Sequence, residues 1–461
     1  MSIIGQIIAW YFGLLGCLSL LVFASAFLYM LEGLRRRGRY IALAVGALSF
    51  AAALSRPGVW LLSLTCGLVV TLQAICYSYF ALCTLGRRRR ERVWADPLPR
   101  VTLIVPAKDE GAVIEETLRS LDDLDYPNEL LELVLIDDGS SDDTCARAAA
   151  LAPEMRHTLR TIRHELPGGK ARRLNELFPE LESEFVIVLD ADHRVDTGLV
   201  RRMLLGFTEG ADVGCVQVAS LVRNGHTNLV AKLLELEYLF RCKGIYPGKR
   251  LGVFCGSGGM FRRSLLLELG GFDCSMLTED VELSYRLYER GLRVAYDDGT
   301  SSHELAVTDF KNFFNQRYRW MRGLWQAMLF HLGSGKGGAL PLSTRTYLIQ
   351  FTLDGFGALC MCVLEAYFFL GQLGLIQFHA SVPIYLIAVG FAFAFSVGML
   401  RGHKAKNLAF LPLVSFYMVA HTIPMTWALI DSYVLGKPLI WVKTERLAAR
   451  EPDIGLSGGR A

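Results

Sequence analysis

Leu133-Val134-Leu135-Ile136-Asp137-Asp138-Gly139-Ser140 is an aliphatic run that leads straight into two acids and a turn. Leu133 to Ile136 reads as a buried strand, because a short continuous apolar run closed by a turn signal suits a strand covered on both faces. Val101 to Val105 has the same character, as does Phe185 to Leu189, which runs into Asp190-Ala191-Asp192. Helical patterns follow Glu110, Asp142 and Thr197. This alternation, from about Pro97 to Asp309, predicts a mostly parallel sheet covered by helices. Ligands of such sheets sit beyond the carboxyl ends of the strands, and the chain places its acids there.

Two carboxylates spaced D-x-D at a strand end project toward one loop, where their oxygens suit a hard divalent cation. Magnesium or manganese on one or two carboxylates, with phosphate oxygens in other positions, fits that arrangement. Each motif alone also has a plainer reading: D-x-D as a loop or helix cap, and Asp137 to Ser140 as a turn.

Order and company set these motifs apart. Pro106-Ala107-Lys108-Asp109-Glu110 follows the first strand, the D-D-G-S run ends the second, and Gly169-Lys170-Ala171 precedes Asp190-Ala191-Asp192. Phe254-Cys255-Gly256-Ser257-Gly258, Thr278-Glu279-Asp280 and Gln316-Arg317-Tyr318-Arg319-Trp320 come next. The series resembles the membrane-bound family-two glycosyltransferases that polymerise β-linked sugars: cellulose, chitin, hyaluronan and poly-N-acetylglucosamine synthases. The likeness is detailed from Pro97 to Gln326 and extends in layout to the flanks. It implies an α/β GT-A fold, that of nucleotide-diphospho-sugar transferases, inserted between N- and C-terminal transmembrane helices. The expected divisions are a transmembrane region at 1–86, the cytoplasmic GT-A domain at 97–309 and interfacial helices at 310–345. A second membrane region at 346–435 and a cytoplasmic tail at 436–461 follow.

The resemblance implies that Asp138, Asp137, Ala107 and Glu110 hold the uridine of a UDP-sugar. Asp109 stands where many relatives carry asparagine. Lys170 matches a family lysine near the nucleotide, and an ammonium beside a diphosphate is good chemistry; its plainer reading is a solvated lysine after a Gly-Gly turn. Asp192 would coordinate Mg2+ or Mn2+, with Asp190 beside it on the donor side. Asp280 would be the general base that takes the acceptor proton. Single displacement then inverts the anomeric centre, so an α-linked nucleotide sugar gives a β-linked product. Glu279 either binds the acceptor or, with Thr278, caps the amphipathic run Val281 to Arg290.

Gln316, Arg319 and Trp320 share one face of a predicted helix. An indole stacks on a sugar ring, and the two polar groups suit diphosphate oxygens and sugar hydroxyls. The alternative is an interfacial anchor. Phe254, Cys255, Gly256 and Ser257 would lie near the acceptor terminus, the glycines allowing close backbone approach. Cys255 reads as a small packing residue, since inversion needs no covalent intermediate.

Outside this domain the chain is apolar. Ile7 to Met30 is uncharged and long enough for a hydrocarbon core of about 30 Å, which takes roughly 20 helical residues. Lacking a basic lead, it reads as an anchor and not a cleaved signal. Val59 to Leu85 is a second such run. Arginine clusters stay cytoplasmic, so Arg35 to Arg39 and Arg87 to Arg90 face one compartment, and Tyr40 to Leu54 becomes a thin third span. Tyr347 to Gln377 and Val382 to Leu400 read as a returning pair, and Leu408 to Ile430, with Pro412 and Pro424, as interfacial or re-entrant. Asp354 and Glu365 either sit at an interface and in a helix pair or line a polar path.

The full chain of 461 residues is 52% hydrophobic with a mean hydropathy of +0.33, which excludes disorder, a collagen-like fibre and an ordinary soluble enzyme. A net charge of +3 leaves no field for gripping nucleic acid. Eleven cysteines without a C-x-x-C pair suggest free thiols in a reducing compartment. Gly333-Ser334-Gly335-Lys336 is no phosphate loop, because Phe330 and Gly337 break the pattern, and His303-Glu304 begins no H-E-x-x-H.

The leading expectation is a multi-pass inner- or plasma-membrane synthase that extends a polysaccharide from UDP-GlcNAc or UDP-glucose on the cytoplasmic face and threads it outward. Its partners are then the donor, the growing chain, the bilayer and small membrane or export subunits. One alternative adds a single sugar to a lipid or short saccharide. Another is a membrane scaffold with an inactive transferase domain, against which stand Asp138, Asp192, Asp280, Arg319 and Trp320.

Overall fold

A computed structural model of the chain describes residues 56–87, 94, 97–249, 252–333 and 381–429, with isolated positions in 360–375 and 431–437. The expected spans Ile7 to Met30 and Tyr40 to Leu54, most of Tyr347 to Gln377, and Asp354 and Glu365 lie outside the described residues.

One sheet organises the central region. Its strands are β1 (Val101–Ala107), β2 (Leu131–Asp138), β3 (Thr158–His164), β4 (Phe185–Val188), β5 (Arg194–Val195), β6 (Val213–Val222), β7 (Gly259–Arg262) and β8 (Arg293–Glu304), in the order β3-β2-β1-β4-β7-β6-β8-β5. β2, β1 and β4 are parallel, as expected, and β3, not singled out from sequence, extends them in parallel. The other half corrects the mostly parallel expectation: β7 runs antiparallel to both neighbours, β5 is antiparallel to β8, and β6 and β8 are parallel. The sheet is mixed because the chain leaving the F-C-G-S-G loop turns back between β4 and β6.

The aliphatic runs are continuous because both faces of the parallel half are covered. Leu103, Leu133, Leu135 and Ile187 enter one core with Ile114, Leu118 and Met203, while Ile104, Val134, Ile136, Val186 and Val188 enter the opposite one with Leu174 and Phe261. The expected helices are α2 (Ile114–Asp122), α3 (Thr144–Leu151) and α5 (Leu199–Phe207), with α4 (Lys170–Leu177) opening at Gly169-Lys170.

α1 (Arg56–Gly86) precedes the sheet, and within it Ser63–Gly86 is, among the described residues, the one helix long and apolar enough to cross a membrane. α6 (Leu229–Tyr238) passes into a π-helical stretch, Leu239–Ile245, which packs against α1 and against α10 (Ser381–Arg401). Phe240 and Phe395 stack there at 4.3 Å. α7 (Arg263–Leu269), α8 (Glu279–Glu289) and α9 (Phe310–Gly333) intervene in the chain. The Leu408 to Ile430 segment, expected to be interfacial or re-entrant, does not turn back over its helical part: a 3-10 turn, Ala405–Phe410, leads into the unbroken α11 (Leu411–Leu429), which packs on α9. Every described cysteine is a free thiol.

Candidate active site

β1, β2 and β4 end at one edge, with Ala107 beside Asp137 and Asp190 two residues past β4. The loop after β1 is laced to the loop after β2. The Asp109 amide donates to Ser140 Oγ at 2.9 Å, its carboxylate accepts from the Ser141 amide at 2.7 Å, and the Glu110 amide donates to Thr144 Oγ1 at 2.8 Å. Asp109 has φ of 53°, a left-handed conformation that aspartate and asparagine tolerate better than other side-chain-bearing residues. That tolerance explains why either residue can stand there.

The acids of the D-D-G motif are nearly enclosed. Asp138 Oδ1 accepts from the Gly168 amide and from Arg173 Nε, both at 2.7 Å, and Oδ2 accepts from the Gly169 amide at 2.8 Å. Asp137 is fully buried, with Oδ1 on the Ser140 amide at 2.9 Å. Its Oδ2 has no hydrogen-bond partner among the described residues, and Arg163 Nε lies 3.8 Å away. Asp138 therefore organises the loop 165–169 at the end of β2, and Asp137 the turn to Ser140.

The F-C-G-S-G loop is the hub. Ser257 Oγ accepts from the Asp190 amide at 2.9 Å, and the Gly256 carbonyl accepts from Lys170 Nζ at 2.7 Å. Lys170 Nζ also pairs with Asp190 Oδ1 at 2.5 Å. Gly256 has φ of 82°, and a Cβ on it would lie 3.0 Å from Asp280 Oδ2, so conformation and space both call for glycine. Gln217 of β6 holds the loop through the Cys255 amide at 3.1 Å and the Ser257 carbonyl at 2.9 Å. Ser284 of α8 joins the Phe254 amide to the Asp280 carbonyl. The Phe254 ring itself is core, edge-on to Phe261 at 5.0 Å. Cys255, expected to pack, is exposed.

Charge in this cleft is tuned by its neighbours. Burial pushes the Asp190 carboxyl up, but Lys170 outweighs it and holds the group below its usual range. Burial pushes the Lys170 ammonium down, and Asp190, Glu279 and Asp280 hold it above its usual range. For Asp280 burial wins, helped by the adjacent Glu279, and its carboxyl is pushed up to about 7. Glu279 is raised for the same first reason. Thr278 takes the N-cap position of α8 without a side-chain capping bond, which removes half of the capping alternative.

α9 closes the site. Gly323 lets it approach Thr278 more closely than any side chain would permit, and Gln326 receives the Leu277 amide and donates to the Ser275 carbonyl, each at 3.0 Å. Arg319 faces Glu279 electrostatically, Gln316 is buried and Trp320 is half-buried. Asp192 is also buried, Oδ2 accepting from the Leu305 amide at 3.2 Å. Asp190 and Asp192 form an oxygen pair that fits a hard cation completing its shell with phosphate. His193 closes the same turn, its amide donating to the Asp190 carbonyl at 3.2 Å, and its buried Nδ1 has no hydrogen-bond partner among the described residues. No group of three or more candidate ligands occurs among those residues.

Residues 99–323 match the family described as glycosyltransferase like family 2. This region is a family-two glycosyltransferase domain. The chain is 32% identical over 248 residues to a β-monoglucosyldiacylglycerol synthase of Trichormus variabilis, covering 52% of each. It is 28% identical over 240 residues to a poly-β-1,6-N-acetyl-D-glucosamine synthase of Staphylococcus aureus, covering 51% of this chain and 57% of that one. The chain thus spans about half the length of these relatives. The mannosyltransferase PcManGT from Pyrobaculum calidifontis, in complex with GDP-Man and Mn2+, superposes with a TM-score of 0.54 at 20% identity, over 79% of this chain and 98% of that one. The mixed sheet of the family-two domain is accordingly a GT-A core.

Arg173, Gln217, Ser284 and Gln326 hold the family-two site together and were not singled out from sequence. Gln217 alone carried a signal, a polar residue inside the aliphatic run Val213–Val222.

Proposed function

We propose that the chain is an inverting sugar transferase acting at a membrane surface. The Asp280 carboxylate accepts the proton of an acceptor hydroxyl while that oxygen forms its bond to the anomeric carbon of a UDP-sugar. The bond to the diphosphate breaks on the opposite side, and UDP carries away the electron pair. Lys170 faces the departing charge. Asp192 and Asp190 would hold Mg2+ or Mn2+, which when bound neutralises charge on a diphosphate. Asp137, Asp138, Ala107 and Glu110 frame the nucleoside. Glu279, Gln316, Arg319 and Trp320, with Cys255, Gly256 and Ser257 of the loop beside Phe254, frame the acceptor.

The observation that supports this most is the convergence of Lys170, Asp190 and Asp280 on Gly256, because it sets a cation for the leaving group beside a carboxylate poised near neutrality. The acceptor we favour is the end of a growing β-linked polysaccharide on Trp320, passed outward through the membrane helices, with the domain cytoplasmic. A lipid acceptor is the second reading. It is favoured by the exposed apolar stripe Leu64, Leu68, Leu72, Ile75, Tyr79, Leu82 and Leu85 on α1, and by the likeness to a diacylglycerol-glucosylating relative.

Membrane vesicles given radiolabelled UDP-glucose or UDP-GlcNAc, with products digested by linkage-specific hydrolases, separate the readings. A polymer ladder is the expected result. A single glycolipid of fixed size would replace it with the second reading, and UDP binding without transfer of either sugar would overturn both.

A further inference from the structure

Beneath Trp320 lies a buried charge cluster that the transfer step does not use. Glu237, in the last turn of α6, is 3% exposed. It pairs with Arg317 of α9, accepts from Arg241 Nη1 at 3.1 Å and stands 3.8 Å from His421 Nε2 of α11. Arg241 belongs to the π-helical stretch, a geometry common where a helix must re-aim side chains near a site. Its Nε and Nη2 donate to the Tyr246 hydroxyl at 2.8 and 2.6 Å.

Arg317 is fully buried, and its guanidinium carbon lies 4.4 Å from the centre of the Trp320 ring. Its Nε and Nη1 have no hydrogen-bond partner among the described residues. Arg317 is therefore placed by the Glu237 anion and by two rings, the Trp320 indole and, at 5.6 Å, Phe313. Two arginines converge on the Glu237 carboxylate, so removing that charge leaves the buried Arg317 guanidinium unpaired and facing the like charge of the part-exposed Arg241. Their separation would draw Arg317 off the Trp320 ring.

We propose that Glu237 is a positioning residue for the acceptor, setting through Arg317 the plane and depth of the Trp320 ring on which the acceptor sugar stacks. This rests on the reading of Trp320 as the acceptor platform. The donor groups Asp138, Lys170 and Asp190 stand on other elements and bond to Gly168, Gly169, Arg173, Gly256 and one another.

The test uses the full chain in detergent, labelled with 5-fluorotryptophan, with the Trp320 resonance in the 19F spectrum assigned by Trp320→Phe. Glu237→Gln should move the Trp320 resonance and leave those of the other tryptophans in place. In transfer from UDP-GlcNAc or UDP-glucose it should raise the acceptor KM about tenfold or more, since small misplacements at a site cost up to about 10²-fold, with the donor KM within about twofold. Glu237→Asp should restore most of the acceptor KM. An unmoved Trp320 resonance, or acceptor and donor KM rising together, overturns the proposal. If Glu237→Gln fails to fold, Arg317→Lys keeps the charge and loses the flat contact, and an unmoved resonance there overturns it equally. A wild-type chain that transfers neither sugar sinks the transferase reading, while the resonance still decides whether Glu237 sets the ring.

Discussion

In its proposed role of general base Asp280 must be ionised, yet it is held in surroundings that favour its neutral form. Burial first, and Glu279 beside it second, push its carboxyl up to about 7. A base with that poise is well matched to neutral pH. Transfer should therefore rise with pH through about 7 and then level off, which a pH profile of kcat/KM would check. Asp280→Asn should cut transfer about 10²–10⁴-fold, the usual range for a positioned base, and leave UDP binding in a calorimeter largely intact. The same perturbation carries a stability sign. With the folded value above the ordinary carboxylate value, the stabilising contribution is complete below the ordinary carboxylate range and is lost as pH rises through about 7. Asp280→Asn should accordingly raise Tm at pH 8, with a gain that shrinks toward pH 4. Asp280 was legible as a candidate because of its Thr-Glu-Asp setting, but its poise was not. That comes from Gly256 and Glu279 closing around it, which spacing does not encode.

At the scale of elements, α4 and the loop before it show how a donor site is held. Arg173 gives Nε to Asp138, Nη2 to the Leu166 carbonyl at 2.5 Å and Nη1 to Glu176 at 2.8 Å, so one side chain ties a strand end, a loop and its own helix. Lys170 begins that helix. Arg173→Ala should let the loop lift and Lys170 drift. Losing a charge-assisted hydrogen bond, worth about 1.5–3 kcal/mol, predicts at least a tenfold rise in the UDP-sugar KM, and an unchanged KM would count against the role. Lys170 was legible beside two glycines, whereas Arg173 was not, because its partner Asp138 is 35 residues away. β1, β2 and β4 could be read because both faces are buried. β8, Arg-Val-Ala-Tyr-Asp-Asp-Gly-Thr-Ser-Ser-His-Glu, is polar and takes its place by pairing with β6 and β5, and β7 is four residues long. The mixed half was invisible for that reason.

The whole molecule has cores on both faces of the sheet and a third where α1, α6, α10 and α11 meet. α1 buries Val70, Ala74 and Ala81 in that third core and leaves Leu64, Leu68, Ile75 and Leu82 more than half exposed. A helix so divided suits the membrane surface proposed above, with lipid on its outer side. Alkaline carbonate extraction should leave the chain in the membrane pellet. Leu68→Arg with Ile75→Arg, each costing about 2.5–3.5 kcal/mol in mid-bilayer, should lower the yield of inserted protein, and an undiminished yield would put that face against something other than lipid.

Lys170 touches both Asp190 and Gly256. A cleft lined by Asp190, Asp192, Glu279 and Asp280 would otherwise repel a diphosphate at a distance. On the proposed reading the lysine would be a resident counter-ion, and donor binding would be a swap of ionic partners in which the diphosphate takes over the ammonium that Asp190 gives up. Such a swap would keep the electrostatic resistance of the cleft to a diphosphate low.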